Sequence, residues 1–105
     1  MPKFLYVYHA DAPIDMSPED AAVAIEQWGK WMQSLGPALI EPGEPVGLSK
    51  LVKRDGVTDT VPNAAFGWSV VEAASIEQAC DMAKGNPMVE GGGAVEVAEI
   101  MPMPM

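Results

Sequence analysis

The sequence predicts an α+β fold in which a β-α-β unit occurs twice. Three observations predict it. Phe66-Gly67-Trp68-Ser69-Val70-Val71-Glu72 and Ala94–Ile100 have strand composition and flank a helix that begins at Ser75. Lys3–His9, rich in aromatic and β-branched residues, precedes a second helix with a strong start at Ser17-Pro18-Glu19-Asp20. Turn-forming residues punctuate the chain between these units, at Gly36-Pro37, Arg54-Asp55-Gly56 and Gly91-Gly92-Gly93.

The strand Lys3–His9 is bounded by Pro2 and by the Asp11-Ala12-Pro13 turn, and the loop to Met16 carries Asp11 and Asp15. The first helix is expected to run to about Leu35, where Gly36-Pro37 stops it. Its apolar stripe is Ala21, Ala24, Ile25, Trp28, Met32 and Leu35, with Trp31 on the flank. Ala38-Leu39-Ile40 is long enough to pair briefly as a strand, and Val46–Lys53 alternates moderately and reads as another. Thr58–Asn63 reads as loop. The second helix has Ser75 as N-cap, Gln78 as the reciprocal partner of a capping box, and Gly85 and Pro87 as its stop. Its apolar stripe is Ile76, Ala79, Cys80 and Ala83.

Right-handed crossovers turn this order into one four-stranded antiparallel sheet with both helices on one face. Along the first strand Phe4, Tyr6 and Tyr8 face one way, and Leu5 and Val7 the other. Phe66, Trp68 and Val70 likewise oppose Gly67, Ser69 and Val71. A free sheet face in water is expected to carry polar residues at alternate positions. Here both faces are apolar, so the face without helices needs a cover, and a second copy of the chain is the expected one.

One domain of 105 residues, 49% apolar and 20% charged, has an ordinary globular balance. A net charge of −9 and a pI near 4.2 argue against nucleic acid and anionic membrane surfaces, which select basic patches. Cys80 stands alone, excluding an intrachain disulfide, and one His with one Cys excludes a zinc site built from those ligands within one chain. No cofactor or metal is expected. Phe4–Tyr8 is too short for a signal peptide and no run reaches membrane-spanning length, which leads to an expected cytoplasmic location.

Few residues suit chemistry. His9, the sole histidine, ends the first strand near Asp11 and Asp15 and suits general acid–base work if it faces a pocket; otherwise it is a partly exposed strand-end residue. Glu72 and Glu96 sit on strands, and parity places Glu96 with Ala98 and Ile100 on a mainly apolar face, making it the more suggestive carboxylate. Trp28, Trp31 and Trp68 read as packing residues, with stacking on a planar ligand as the alternative. Gly91-Gly92-Gly93 precedes a strand and lacks the residues of a phosphate loop, so it reads as a flexible connector. Lys50, Lys53 and Arg54 cluster at a turn where an anion fits. The Met101–Met105 tail has thioethers suited to Cu(I), or is a frayed or dimer-packed terminus.

Taken together, several stretches carry a family resemblance: Phe4–Tyr8, Met16-Ser17-Pro18-Glu19 with Trp28 and Trp31, Gly43-Glu44-Pro45, Phe66–Ala73, Glu77-Gln78-Ala79, Asn86-Pro87 and Gly91–Val97. The chain resembles the YCII-related proteins, and more closely the DGPF-domain branch, over nearly its whole length. The resemblance implies a ferredoxin-like βαββαβ subunit forming a homodimeric α/β barrel with a pocket between sheet and helices. Members that look like lyase- or dehalogenase-type enzymes pair a His on the first helix with an Asp before the Pro that follows the second. Here the Ser17–Leu35 helix has no His and Asn86 precedes Pro87, so that dyad is absent; Asp59-Thr60-Val61-Pro62 only echoes Asp-Gly-Pro-Phe.

The expected function is therefore a small-molecule-binding dimer, with Tyr6, Tyr8, Trp28, Trp68 and Asn86 around the ligand. Its competitors are a lyase-, isomerase- or dehalogenase-type enzyme that uses His9 or Glu96 on a small aromatic or lactone-like acid, and an accessory protein-interaction module.

Overall fold

The structure, a computed structural model, describes residues 1–10 and 17–102. Asp11, Asp15 and the last three residues of the methionine tail lie outside the described residues. Chain order is β1 (Lys3–His9), α1 (Pro18–Leu35), a 3₁₀ turn (Gly36–Ala38), β2 (Leu39–Glu41), β3 (Leu51–Lys53), β4 (Gly56–Thr58), β5 (Gly67–Glu72), α2 (Ile76–Ala83), α3 (Pro87–Glu90) and β6 (Ala94–Glu99). The fold is α+β, with a four-stranded antiparallel sheet in the order β2-β5-β1-β6. That order and those strand directions are compatible with a ferredoxin-like arrangement.

Helix starts follow the sequence. The Ser17 hydroxyl accepts from Asp20 N, with Pro18 opening α1, and the Ser75 hydroxyl accepts from Gln78 N. Gln78 answers by accepting from Ala74 N, one residue before the cap. The alternation of β1 sends Phe4, Tyr6 and Tyr8 into the core with Trp31, Val71, Ala73, Ala79 and Ala83. Trp28, Met32, Leu35, Met82 and Met88, from all three helices, pack on that cluster. Burial of Phe4 and Tyr6 alone contributes about 2–3 kcal/mol each. The indole N–H of Trp31 donates to Met82 O at 3.1 Å and joins α1 to the end of α2.

Four expectations need correction. The second strand of the sheet is Leu39–Glu41; of the expected strand Val46–Lys53 only Leu51–Lys53 forms, and it pairs with β4, inside what reads as turn and loop, as a separate hairpin. On α1, Ile25 is 72% exposed and Trp31 is the buried residue, so the inward face is rotated by about one side chain. On α2, Ala79 and Ala83 are buried while Ile76 and Cys80 are exposed, because the helix seats its small residues against Tyr6. Gly93 is no mere flexible connector: a Cβ there would lie 2.5 Å from His9 O and 3.0 Å from Met88 O, so the chain passes where only glycine fits.

Leu5, Val7, Trp68 and Val70 lie on the other sheet face by alternation, outside the helix-packed core and half-buried. The molecule is 19 Å thick against 46 and 43 Å across, and its radius of gyration is 15.1 Å, where about 13 Å is typical of a compact chain this long. Its accessible surface is 7488 Å². A compact monomer of the same mass exposes about 5700 Å². Among the described residues no helix is long and apolar enough to cross a membrane.

Candidate functional site

Between α1 and the segments that join β2 to β5 lies a cleft of about 1080 Å³. Ile25, Trp28, Gly29 and Met32 form its helical wall, and Met88 of α3 and Tyr8 of β1 contribute from the sheet side. Residues 42–47 and 64–68 form the opposite wall.

Backbone pairing makes that opposite wall rigid. Val46 N donates to Phe66 O at 3.0 Å, Trp68 N donates to Glu44 O at 3.3 Å, and Pro45 bridges to Gly67. Residues 44–46 thus run along β5 as an irregular extension of the sheet. Gly43 makes this possible: its φ is +75°, and a Cβ there would fall 1.7 Å from Trp68 O. Gly67 is less tightly enclosed, with Glu44 O and Tyr8 Cδ2 each 3.2 Å from where a Cβ would stand, so the Tyr8 ring packs close to its backbone.

Tyr8, a lining residue, ends in a buried hydroxyl. Its hydroxyl donates to Ser69 Oγ at 2.6 Å, and the Ser69 hydroxyl donates to Pro42 O at 2.7 Å. The Tyr8 oxygen keeps acceptor capacity after donating. Burial pushes the Tyr8 phenol above its ordinary range, with Ser69 and Asn86 acting the other way. Tyr8 therefore stays protonated at neutral pH. Trp28 meets the Tyr8 ring edge-on, with centroids 4.9 Å apart and planes 77° apart, and stands edge-on to Trp31 at 5.8 Å.

Of the residues expected around a ligand, Tyr8, Trp28 and Trp68 line the cleft. Trp68 does so from its strand, since alternation turns its side chain toward the helix-free face with Val7. Tyr6 does not line it: the residue is wholly buried and its hydroxyl donates to Ala79 O. Nor does Asn86, which is wholly buried and caps α3 by accepting from Met88 N at 2.8 Å. The amide Nδ2 of Asn86 has no partner among the described residues.

His9 and Glu96 come together, away from the cleft lining. His9 Nε2 is 3.0 Å from Glu96 Oε1, and Nδ1 is 3.3 Å from Ala64 O. The imidazole is nearly buried, with the Glu96 side chain 57% exposed. Glu72 is a strand-end carboxylate 3.6 Å from the terminal ammonium. Lys50 is paired with Asp59 at 2.9 Å, so it is not free to hold an anion with Lys53 and Arg54. Among the described residues no group of three or more His, Cys, Asp or Glu is placed to hold a metal ion.

Sequence reading missed Met32, Phe66, Met88, Glu44 and Asp59 as cleft residues. Phe66 and Glu44 stood within noticed motifs, but only the pairing of residues 44–46 along β5 shows that they share a wall. No protein-family model matches the chain, and no curated protein matches it either.

Proposed function

We propose that the chain is the subunit of a homodimer that binds a small apolar or aromatic molecule in the cleft beside Tyr8 and Trp28. In this reading it is a YCII-like, ferredoxin-like subunit of a dimeric α/β barrel without the family's His–Asp acid–base pair. The single observation that carries the binding role is the cleft itself. It is large enough for a small ligand, mostly apolar, rigid on its β5 side, and lined by Tyr8, whose hydroxyl is tied to Ser69.

The uncovered sheet face supports the dimer. Leu5, Val7, Trp68, Val70 and Ala98 share it by register, and the chain exposes far more surface than a monomer of its mass. Pairing two such faces encloses the greasy side of each sheet, and His9 and Glu96 lie at its rim.

A fragment screen read by amide chemical-shift perturbation tests the binding role. Hits are expected to move Trp28, Gly29, Gly43 and Phe66 together. Gly29 faces the cleft with nothing within 4 Å of a Cβ position, so Gly29→Trp folds and obstructs the cleft. Hits that bind the Gly29→Trp protein as well as the parent, or that scatter over the surface, refute the reading.

The contact between His9 and Glu96 supports a second reading, an enzyme with a rebuilt acid–base pair. That reading requires a turnover that Glu96→Gln abolishes.

A further inference from the structure

Resting on the cleft reading above, we infer that its ligand is an apolar amine, bound as the ammonium ion, and not a carboxylic acid or a phosphate. Two groups of residues in the lining set this preference. Trp28, Tyr8 and Phe66 offer aromatic rings, and Met32, Met88, Val46 and Val61 complete an apolar body. Aromatic faces attract cations and repel anions. The second group is ionisable. Among the described lining residues, Glu44 and Asp59 carry charge and no Lys, Arg or His does. Asp59 is neutralised by Lys50, and Glu44 has no ion-pair partner among the described residues.

The backbone of Glu44 is fixed. Its carbonyl accepts from Trp68 N, and its neighbours Gly43 and Pro45 lie against β5, so a fixed backbone carries this exposed residue in the cleft lining. Apolar walls focus the field of such a charge into the space between them. The chain's net charge of −9 acts in the same direction at longer range. An anion entering this cleft meets aromatic rings and the unpaired Glu44, and the cation beside the lining, Lys50, is already held by Asp59. An ammonium group is favoured by both the rings and Glu44. The aryl or alkyl body then lies along Trp28 and Met32, with the nitrogen toward Glu44.

The test is isothermal titration of 4-phenylbutylamine, 4-phenylbutanol and 4-phenylbutyrate, which differ at one end only. The amine is expected to bind about threefold tighter than the alcohol and about tenfold or more tighter than the carboxylate. Raising ionic strength is expected to narrow both gaps. Glu44 is exposed, so Glu44→Gln keeps the fold; it is expected to bring the amine within about twofold of the alcohol while leaving the alcohol's affinity unchanged. Equal binding of all three, tightest binding of the carboxylate, or an amine preference untouched by Glu44→Gln overturns the inference and leaves the cleft a binding site of other specificity. Failure of all three compounds to bind removes the cleft reading, and the inference with it.

Discussion

His9 and Glu96 are diagonal neighbours on adjacent strands. His9 is paired in register with Ala94, and Glu96 with Val7, which brings Nε2 and Oε1 to 3.0 Å. The other ring nitrogen faces Ala64 O, so one side chain ties β6 to the segment that leads into Phe66 and the cleft wall. Both contacts are hydrogen bonds at once only when both nitrogens carry a hydrogen, that is, in the imidazolium form.

A double-mutant cycle with His9→Ala and Glu96→Ala, read by urea unfolding, is expected to give a coupling of about 1 kcal/mol. Most of the loss on Glu96→Ala comes from leaving a nearly buried ring nitrogen without its acceptor. Neither residue lines the cleft, so ligand affinity in Glu96→Ala is expected to stay within about twofold of the parent. A coupling near zero means that the contact contributes nothing to the fold; a large loss of affinity favours the rebuilt acid–base site.

Alkaline pH provides a second test, because the chain's two tyrosines, Tyr6 and Tyr8, are both core residues. Burial raises both phenols above the ordinary value of 10.0. Their stabilisation is fully present below that unfolded value and is lost as pH climbs through the raised folded values. Between the two, the unfolded chain loses protons that the native chain keeps, so unfolding becomes easier by about 1.4 kcal/mol per pH unit for each tyrosine. Tyrosinate absorbance at 295 nm is therefore expected to stay flat past the ordinary value and then appear in one step with loss of helical circular dichroism. A gradual rise in a still-folded protein contradicts the burial of one ring or both.

These two residues also mark how far the sequence was legible. Local chemistry gave β1, β5, β6 and the caps of α1 and α2, because alternation and hydroxyl capping operate within a few residues. It failed where pairing over distance decides. Leu39–Glu41 is a poor strand by itself and enters the sheet because Val70 and Val71 offer it an edge, whereas the better-looking Val46–Lys53 is divided: Val46 pairs with Phe66 beside β5, and only Leu51–Lys53 forms a strand, on β4. The site divided in the same way. Tyr8 and Trp28 were legible as aromatic residues expected around a ligand, and both line the cleft. Tyr6 shares Tyr8's strand face, and only the seating of Ala79 against its hydroxyl separates a core tyrosine from a cleft tyrosine. Asn86 looked like a pocket residue because of its place before Pro87, and its side chain caps α3 instead.

Gly43 is the hinge of the cleft wall. Gly43→Ala places a methyl group 1.7 Å from Trp68 O at a φ of +75°, so the backbone of residues 42–46 has to leave β5. The expected cost is on the order of 3 kcal/mol, from strain plus the lost pairing of Glu44 and Val46. Amide exchange gives a sharper signature than the melting temperature. Protection at Val46 and Trp68 is expected to fall while protection in the β1–β6 ladder persists, because that ladder shares no hydrogen bond with the 42–46 segment. Unaltered protection at Trp68 N rules out the tight apposition.

The proposed dimer makes the last prediction. At micromolar concentration the parent is expected to sediment at twice the 11.1 kDa chain mass, with a melting temperature that rises with protein concentration. Val7 and Val70 both lie on the helix-free face, on neighbouring strands, and are half-buried in the single chain. A charge at either position costs little within one subunit, since its end can reach water over the open sheet. In the dimer the same charge is enclosed between two apolar faces without a partner. Val70→Lys is therefore expected to sediment as a single chain and to lose the concentration dependence of its melting temperature, while keeping the far-ultraviolet spectrum of the fold. Val57→Lys, on the exposed β3–β4 hairpin, is expected to stay dimeric. A parent protein that sediments as one compact, folded chain removes the partner from the sheet face, and that face then needs a different cover.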